Sequence, residues 1–119
     1  MIYTSYFGNI NKLKKLGYTN FISIAGKTPD WFTGKKYKFF APKYYWWKEW
    51  HDNNLSEEWY KQKYYETVLN NISVKDIEEI LELIGENPIL LCYETPEKFC
   101  HRHLIADFFN KNGFKCIEL

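Results

Sequence analysis

Residues 88–103 read PILLCYETPEKFCHRH. This stretch predicts a strand, a loop and the start of a helix, the unit from which the fold of the chain can be inferred. The apolar run at 88–92 predicts a buried strand. The short polar loop after it leads into a helix whose first turn carries Cys100, His101 and Arg102. Backbone N–H groups and the positive end of the helix dipole point out of such a start, which favours anions. A thiol, an imidazole and a guanidinium gathered here indicate a ligand site or a reaction site.

A strand–helix–strand pattern occurs twice in the chain. The first copy has strands at 2–7 and 20–25, and the second has strands at 88–93 and 114–118 around a helix at 99–110. A helical crossover makes the two strands of each copy parallel. The sequence therefore predicts an α/β fold, a small Rossmann-like parallel sheet of about four strands with helices on both faces.

The pattern breaks between residues 26 and 72, an inserted lysine- and aromatic-rich region within one predicted domain, 1–119. Aromatic residues make up 20% of the chain, and more than half of them lie between Trp31 and Tyr65. Helices are predicted at 43–51, 56–70 and 73–84. Two interpretations of the aromatic segment stay open. It is either a helical lid over a ligand, or a cap whose aromatic residues cover one face of the sheet.

Composition sets broad limits on function. The net charge is +1 at pH 7 and no long apolar run is present, so the chain as a whole favours neither a membrane nor nucleic acid as partner. Three cysteines without a signal-peptide pattern predict free thiols in the cytoplasm. No cofactor is expected. No metal is expected either, because the spacing of the cysteines and histidines fits no usual paired-ligand pattern. Homo-oligomer formation is left open.

The stretch LLCYETPEKFCHRHLIADFF resembles the C-terminal signature of the family called domain of unknown function 488. The stretches MIYTSYFGNI and ISIAGKTPDWFTGKKYKFFAPKYYWWKEW resemble a short subgroup of it. The resemblance implies a cytoplasmic Rossmann-like domain of bacteria, archaea or their viruses, including bacteriophages, and no settled activity. The positions that it carries over are Cys92, Glu94, Cys100, His101 and Arg102. Many members have an Arg after the second strand where this chain has Lys27, a weaker planar binder of phosphate.

Open parallel sheets bind ligands outside the carboxyl ends of their strands. The predicted ligand-binding residues are Tyr6, Phe7, Gly8, Gly26, Lys27, Trp31, Trp46, Trp47, Cys92, Glu94, Cys100, His101 and Arg102. Lys27, Arg102 and the helix start are expected to bind phosphate. The tryptophans Trp31, Trp46 and Trp47 are expected to stack against a base. A Glu94–Arg102 ion pair that only holds the loop is the alternative role for these two residues.

The residues support three hypotheses of function. The first is binding of a phosphate-containing nucleotide-type small molecule, including a nucleotide-derived signalling molecule. The second is a hydrolase or transferase acting on a nucleotide or modified base, with Glu94, Cys100 and His101 as candidate catalytic residues. The third is a module that binds single-stranded nucleic acid through lysines interleaved with aromatic residues. These lysines are Lys35, Lys36, Lys38, Lys43 and Lys48. A phosphatase loop is excluded, because only His101 separates Cys100 from Arg102.

Overall fold

A computed structural model of the protein describes residues 1–95 and 97–119. The strands in this part of the chain are β1 (Ile2–Tyr6), β2 (Phe21–Ser23), β3 (Lys35–Lys36), β4 (Ile89–Cys92) and β5 (Cys116–Glu118). The α-helices are α1 (Ile10–Lys15), α2 (Tyr44–Asp52), α3 (Glu57–Tyr64), α4 (Val74–Ile84) and α5 (His101–Lys111). All neighbouring strands are parallel, in the order β3-β2-β4-β1-β5. The predicted Rossmann-like parallel sheet is therefore confirmed.

Strand β4 lies at the centre of the sheet and fixes its register. Its four residues are all buried, which fits an unbroken apolar run in a strand that is covered on both faces. Leu90 pairs with Thr4 of β1 on one side and with Ile22 of β2 on the other. The strands of the first predicted strand–helix–strand unit are thus parallel but separated by β4. The strand beyond the expected four is β3, a two-residue strand in the inserted region.

Helices α3 and α4 begin where local capping signals predict, and α4 also ends where its glycine predicts. The Ser56 hydroxyl accepts a hydrogen bond from the Trp59 amide before α3. Ser73 and Asp76 form a reciprocal capping box before α4. Gly85 ends α4 with φ 91°, a backbone conformation that costs glycine little because it has no Cβ. The helix predicted at 56–70 is α3 followed by a π-helical turn at Tyr65–Leu69.

Alternate residues of each strand point to opposite faces of the sheet, and two separate cores result. The larger core contains Ile22, Ile24, Leu90 and Cys92 of the sheet, together with buried residues of α2, α3, α4 and α5. The smaller core contains Phe21, Ala25, Ile89 and Leu91 of the sheet, together with Phe7, Ile10, Leu13 and Phe32.

The inserted region is divided between these two cores. Phe32 packs in the smaller core, whereas Trp46 of α2 and Tyr60 of α3 pack in the larger one. Helices α2 and α3 therefore cover one face of the sheet. This is the second of the two interpretations of the aromatic segment, a cap rather than a lid. The aromatic residues near Trp31 belong to the opposite face.

The hydrogen bond of the Tyr64 side chain is predicted to stabilise the packing of the cap on the larger core. Its fully buried hydroxyl donates to the Phe40 carbonyl. Tyr64→Phe should lower the free energy of unfolding by about 1–3 kcal/mol, because it leaves a buried carbonyl without a partner. The control is Tyr45→Phe at an exposed position of α2, which should leave the unfolding free energy nearly unchanged in urea titrations. Equal effects of the two changes would contradict this account of the cap.

Candidate functional site

The carboxyl ends of the central strands meet at one edge, where the structure gathers most of the predicted site residues. The chain leaves β1 through Tyr6, Phe7 and the exposed Gly8. It leaves β4 through Cys92 into the exposed Tyr93 and Glu94. Residues 24–28, which include the exposed Gly26 and Lys27, follow β2 at the same edge. The Tyr93 hydroxyl donates to the Lys27 carbonyl and joins two of these segments.

One part of this edge is an aromatic rim, which we define as Phe7, Trp31 and Tyr93 with Lys27. The buried Phe7 ring contacts both of the others edge-on, with centroid distances of 6.2 Å to Trp31 and 5.0 Å to Tyr93. Trp31 is 61% exposed and Tyr93 is 52% exposed. Single exposed aromatic residues are common, as Tyr44 and Tyr45 show, whereas neighbouring exposed rings that rest on one buried ring can form a ligand surface. The rim therefore offers two accessible rings beside an exposed lysine.

Arg102 lies on the first turn of α5, but it is fully buried and its N–H groups are directed at protein acceptors. Its Nε and Nη2 donate to the Glu118 carboxylate of β5 at 3.0–3.2 Å. Its Nη1 donates to Cys92 Sγ at 3.1 Å and to the Glu94 backbone carbonyl. The predicted Glu94–Arg102 ion pair is therefore wrong, since the carboxylate partner is Glu118. The expectation that Arg102 binds phosphate gains no support, because burial and these acceptors already satisfy the guanidinium.

A second part of the edge is a thiol cluster, which we define as Cys92, Cys100 and His101. Cys92 and Cys100 form a disulfide, so the expectation of free thiols is wrong for this pair, whereas Cys116 is free and buried. The pairing arises because Cys92 ends β4 on the face that α5 covers, and Cys100 is the residue before α5. Burial raises the pKa of the Cys116 thiol to about 12, so that side chain stays protonated in the core.

His101 is buried against both this pair and the sheet. Its Nε2 lies 2.8 Å from the Ile24 carbonyl, and its Nδ1 lies 3.8 Å from Cys100 Sγ. A carbonyl only accepts, so Nε2 carries the proton and Nδ1 presents a lone pair to Cys100. Burial lowers the pKa of His101 to about 4, which keeps the ring neutral near pH 7.

The same three residues also have the spacing of a metal-ligand group. Ligand atoms of Cys92, Cys100 and His101 lie within 4.8 Å of one another. Two sulfurs bonded to each other are not thiolates, so the paired cysteines offer no thiolate ligands in this state. The disulfide, rather than metal coordination, therefore defines the chemistry of this cluster.

The tryptophans of α2 lie away from the aromatic rim. Trp46 is fully buried and donates from Nε1 to the Thr67 hydroxyl at 2.9 Å. Trp47 is half-buried and stacks on Tyr44 and on His51. Both belong to the helices over the larger core, whereas Trp31 lies beside the smaller one. The three tryptophans predicted to stack a base therefore do not form one lid.

The lysines of the inserted region have separate local roles. Lys35 donates to the Ile84 carbonyl at the end of α4, at 3.2 Å. Lys48 pairs with Asp52 one helical turn away, and Lys43 lies over the Phe39 ring. Lys35 and Lys48 thus already have protein partners.

Sequence reasoning missed two residues that organise the edge. Tyr93 is not among the predicted ligand-binding residues, although it lies within the quoted motif, directly follows the buried strand and is exposed. Glu118 had no local signal, because its partner Arg102 lies 16 residues away in sequence.

The fold and this edge define an α/β protein with a thiol cluster and an aromatic rim beside the carboxyl ends of a parallel sheet. Residues 24–113 match the model of a family described as Active DUF488-N3 subclade. Because this match covers about three quarters of the chain, the protein belongs to the DUF488 family. No curated protein and no solved structure matches the chain. Within the described residues, no helix has the length and apolar character needed to cross a bilayer.

The buried ion pair is predicted to matter far more for stability than an exposed one. Arg102→Met should lower the free energy of unfolding by about 3 kcal/mol, because the partly buried Glu118 carboxylate loses its cation and keeps the hydrogen bond from Thr4 alone among its described side-chain partners. The matched control, Lys48→Met, breaks an ion pair whose two side chains are about half exposed, and it should have little effect. Urea titrations of both variants measure the difference. A loss no larger for Arg102→Met than for the control would contradict the role given to this pair.

His101 gives the protein a defined dependence on pH. The unfolded chain takes up a proton on this ring near pH 6.5, whereas the folded protein does so only near pH 4. Between these values the unfolded state binds more protons, so stability falls as pH is lowered through this window, by roughly 3 kcal/mol in all.

The comparison of two histidine variants checks this pH dependence. His101→Gln should flatten the loss of unfolding free energy across the window, while His51→Gln at an exposed position should behave like the natural chain. The measurement is a series of urea titrations between about pH 4 and 6.5. An unchanged slope in the His101 variant would show that this ring is not the titrating group.

Proposed function

We propose that the protein binds a phosphate-containing nucleotide-type small molecule at the aromatic rim. Trp31 and Tyr93 would contact the base, and Lys27 would face the phosphate. The observation that carries the proposal is the exposure of two supported aromatic rings beside a lysine, at the edge where open parallel sheets take their ligands.

The two rings suit a flat ligand because their positions are already fixed. Phe7 supports both from below, and the Tyr93 hydroxyl is held by the Lys27 carbonyl. A ring that is ordered before binding loses less conformational entropy when the ligand arrives. Stacking of a base on an aromatic side chain contributes about 1–3 kcal/mol.

Lys27 is the cation that the proposal assigns to phosphate. It follows β2 at the same edge and is exposed, whereas Arg102 is enclosed by protein acceptors. A lysine provides a mobile point charge rather than a planar fork, which suits a phosphate that is not held in one orientation. Because the charge lies on a surface loop, binding should weaken as salt is added. We also propose a cytoplasmic location, where such ligands are found.

A second candidate function is that of a hydrolase or transferase acting on a nucleotide or modified base, with its chemistry at the thiol cluster rather than at the aromatic rim. It is favoured by the contact between Cys100 Sγ and His101 Nδ1, because a reduced Cys100 would have a neutral base beside it. Glu94 is exposed at the same edge and adds a carboxylate for proton transfer. Product formation separates this function from binding alone, and a nucleotide recovered intact after long incubation would exclude it. The nucleic-acid hypothesis is less supported, because Lys35 and Lys48 already have protein partners.

Calorimetry against nucleoside monophosphates, nucleoside triphosphates and inorganic phosphate tests the proposal. For a nucleotide that binds the natural chain, Trp31→Ala and Lys27→Gln should each raise the Kd about tenfold. This is the change expected for a loss of about 1.4 kcal/mol of binding free energy. Tyr45→Ala and Lys36→Gln remove an equally exposed aromatic residue and lysine elsewhere, and they should leave the Kd unchanged. If no phosphorylated compound binds, or if the control variants weaken binding equally, the proposal fails.

A further inference from the structure

The thiol cluster lies on the opposite face of the sheet from the rim and has its own chemistry. We propose that Cys92 and Cys100 form a thiol–disulfide exchange site that reacts with a low-molecular-weight thiol. The proposal does not depend on the nucleotide-type ligand. It rests on the bonded pair, on the cation beside Cys92 and on the imidazole beside Cys100.

The guanidinium beside Cys92 favours release of that sulfur. Arg102 Nη1 donates to Cys92 Sγ at 3.1 Å, and the charge of the fully buried guanidinium is shared between this sulfur and the Glu118 carboxylate. A thiolate next to a cation is stabilised, and a more stable thiolate leaves a disulfide faster. Cys92 is therefore the leaving sulfur when the disulfide is opened.

Cys100 is the sulfur that an external thiol reaches. It is 7% exposed, whereas Cys92 is 1% exposed. Because both are this enclosed, a small thiol is a better fit than a protein dithiol, whose own surface would collide with the edge. His101 Nδ1 then lies ready to accept a hydrogen bond from the Cys100 thiol once it forms.

The reaction proceeds in two displacements. A small thiolate attacks Cys100 Sγ, a new sulfur–sulfur bond forms, and the electron pair of the Cys92–Cys100 bond leaves on Cys92. A second small thiolate then attacks the small-molecule sulfur of the mixed disulfide and releases Cys100. Overall, two small thiols are oxidised to one small disulfide, and the protein disulfide is reduced to two thiols that carry the two protons.

Counting thiols in the natural chain tests the exchange directly. The folded protein is treated with excess reduced glutathione and then with oxidised glutathione, and free thiols are titrated in denaturant after each step. We expect three thiols after reduction and one, Cys116, after oxidation. A count that stays at three after oxidation would overturn the proposal. So would a count that stays at one after reduction of the folded protein, because the disulfide would then be only structural.

Two serine variants test which sulfur meets the small thiol. With oxidised glutathione, Cys92→Ser should accumulate a mixed disulfide at Cys100. Cys100→Ser should form at least about tenfold less at Cys92, which is more deeply buried. Peptide mass analysis measures both, and circular dichroism confirms that each variant is folded. Cys116→Ser is the matched control and should cycle like the natural chain. Equal labelling of the two variants would overturn the assigned order of attack.

Discussion

The ion pair between Arg102 and Glu118 joins α5 to an edge strand and touches the end of the central strand as well. Burying a guanidinium is costly unless the geometry is good and its remaining N–H groups have partners. Both conditions are met, because Arg102 also reaches Cys92 Sγ and the Glu94 carbonyl, while Thr4 donates to Glu118 at 2.6 Å. This one side chain, on the first turn of α5, thus contacts the end of β4, Glu94 after it and the edge strand β5.

The two proposed sites lie on opposite faces of the sheet at one edge, because successive side chains along a strand point to opposite faces. Cys92 ends β4 and points into the larger core, and the next residue, Tyr93, joins Phe7 beside the smaller core. Adjacent residues thus supply a sulfur to one side and an aromatic ring to the other. The inserted region is also divided between the two faces, with Trp31 at the rim and Trp46 in the opposite core.

Local signals allowed much of the fold to be predicted from sequence, because apolar runs, capping residues and glycine ends act within a few positions. The capping box at Ser73 and the parallel strands around α5 are examples. Contacts between distant segments were not predictable in this way. The partner of Arg102, the burial of Trp46 and the two-residue β3 depend on how separate elements meet. The motif indicated that Cys92, Cys100 and Arg102 lie close together. The disulfide between the two cysteines and the ion pair of Arg102 with Glu118 had no local signal in the sequence.

The outer strands also have a consequence for how the chain behaves at high concentration. The sheet ends in β3, two residues long and made only of exposed lysines, and in β5, three residues long. A short or charged edge is a poor surface for pairing with a strand from another molecule. An all-parallel sheet with long apolar edges would tend to join others into aggregates. Here Lys35 and Lys36 oppose such growth on one side, and the shortness of β5 limits it on the other.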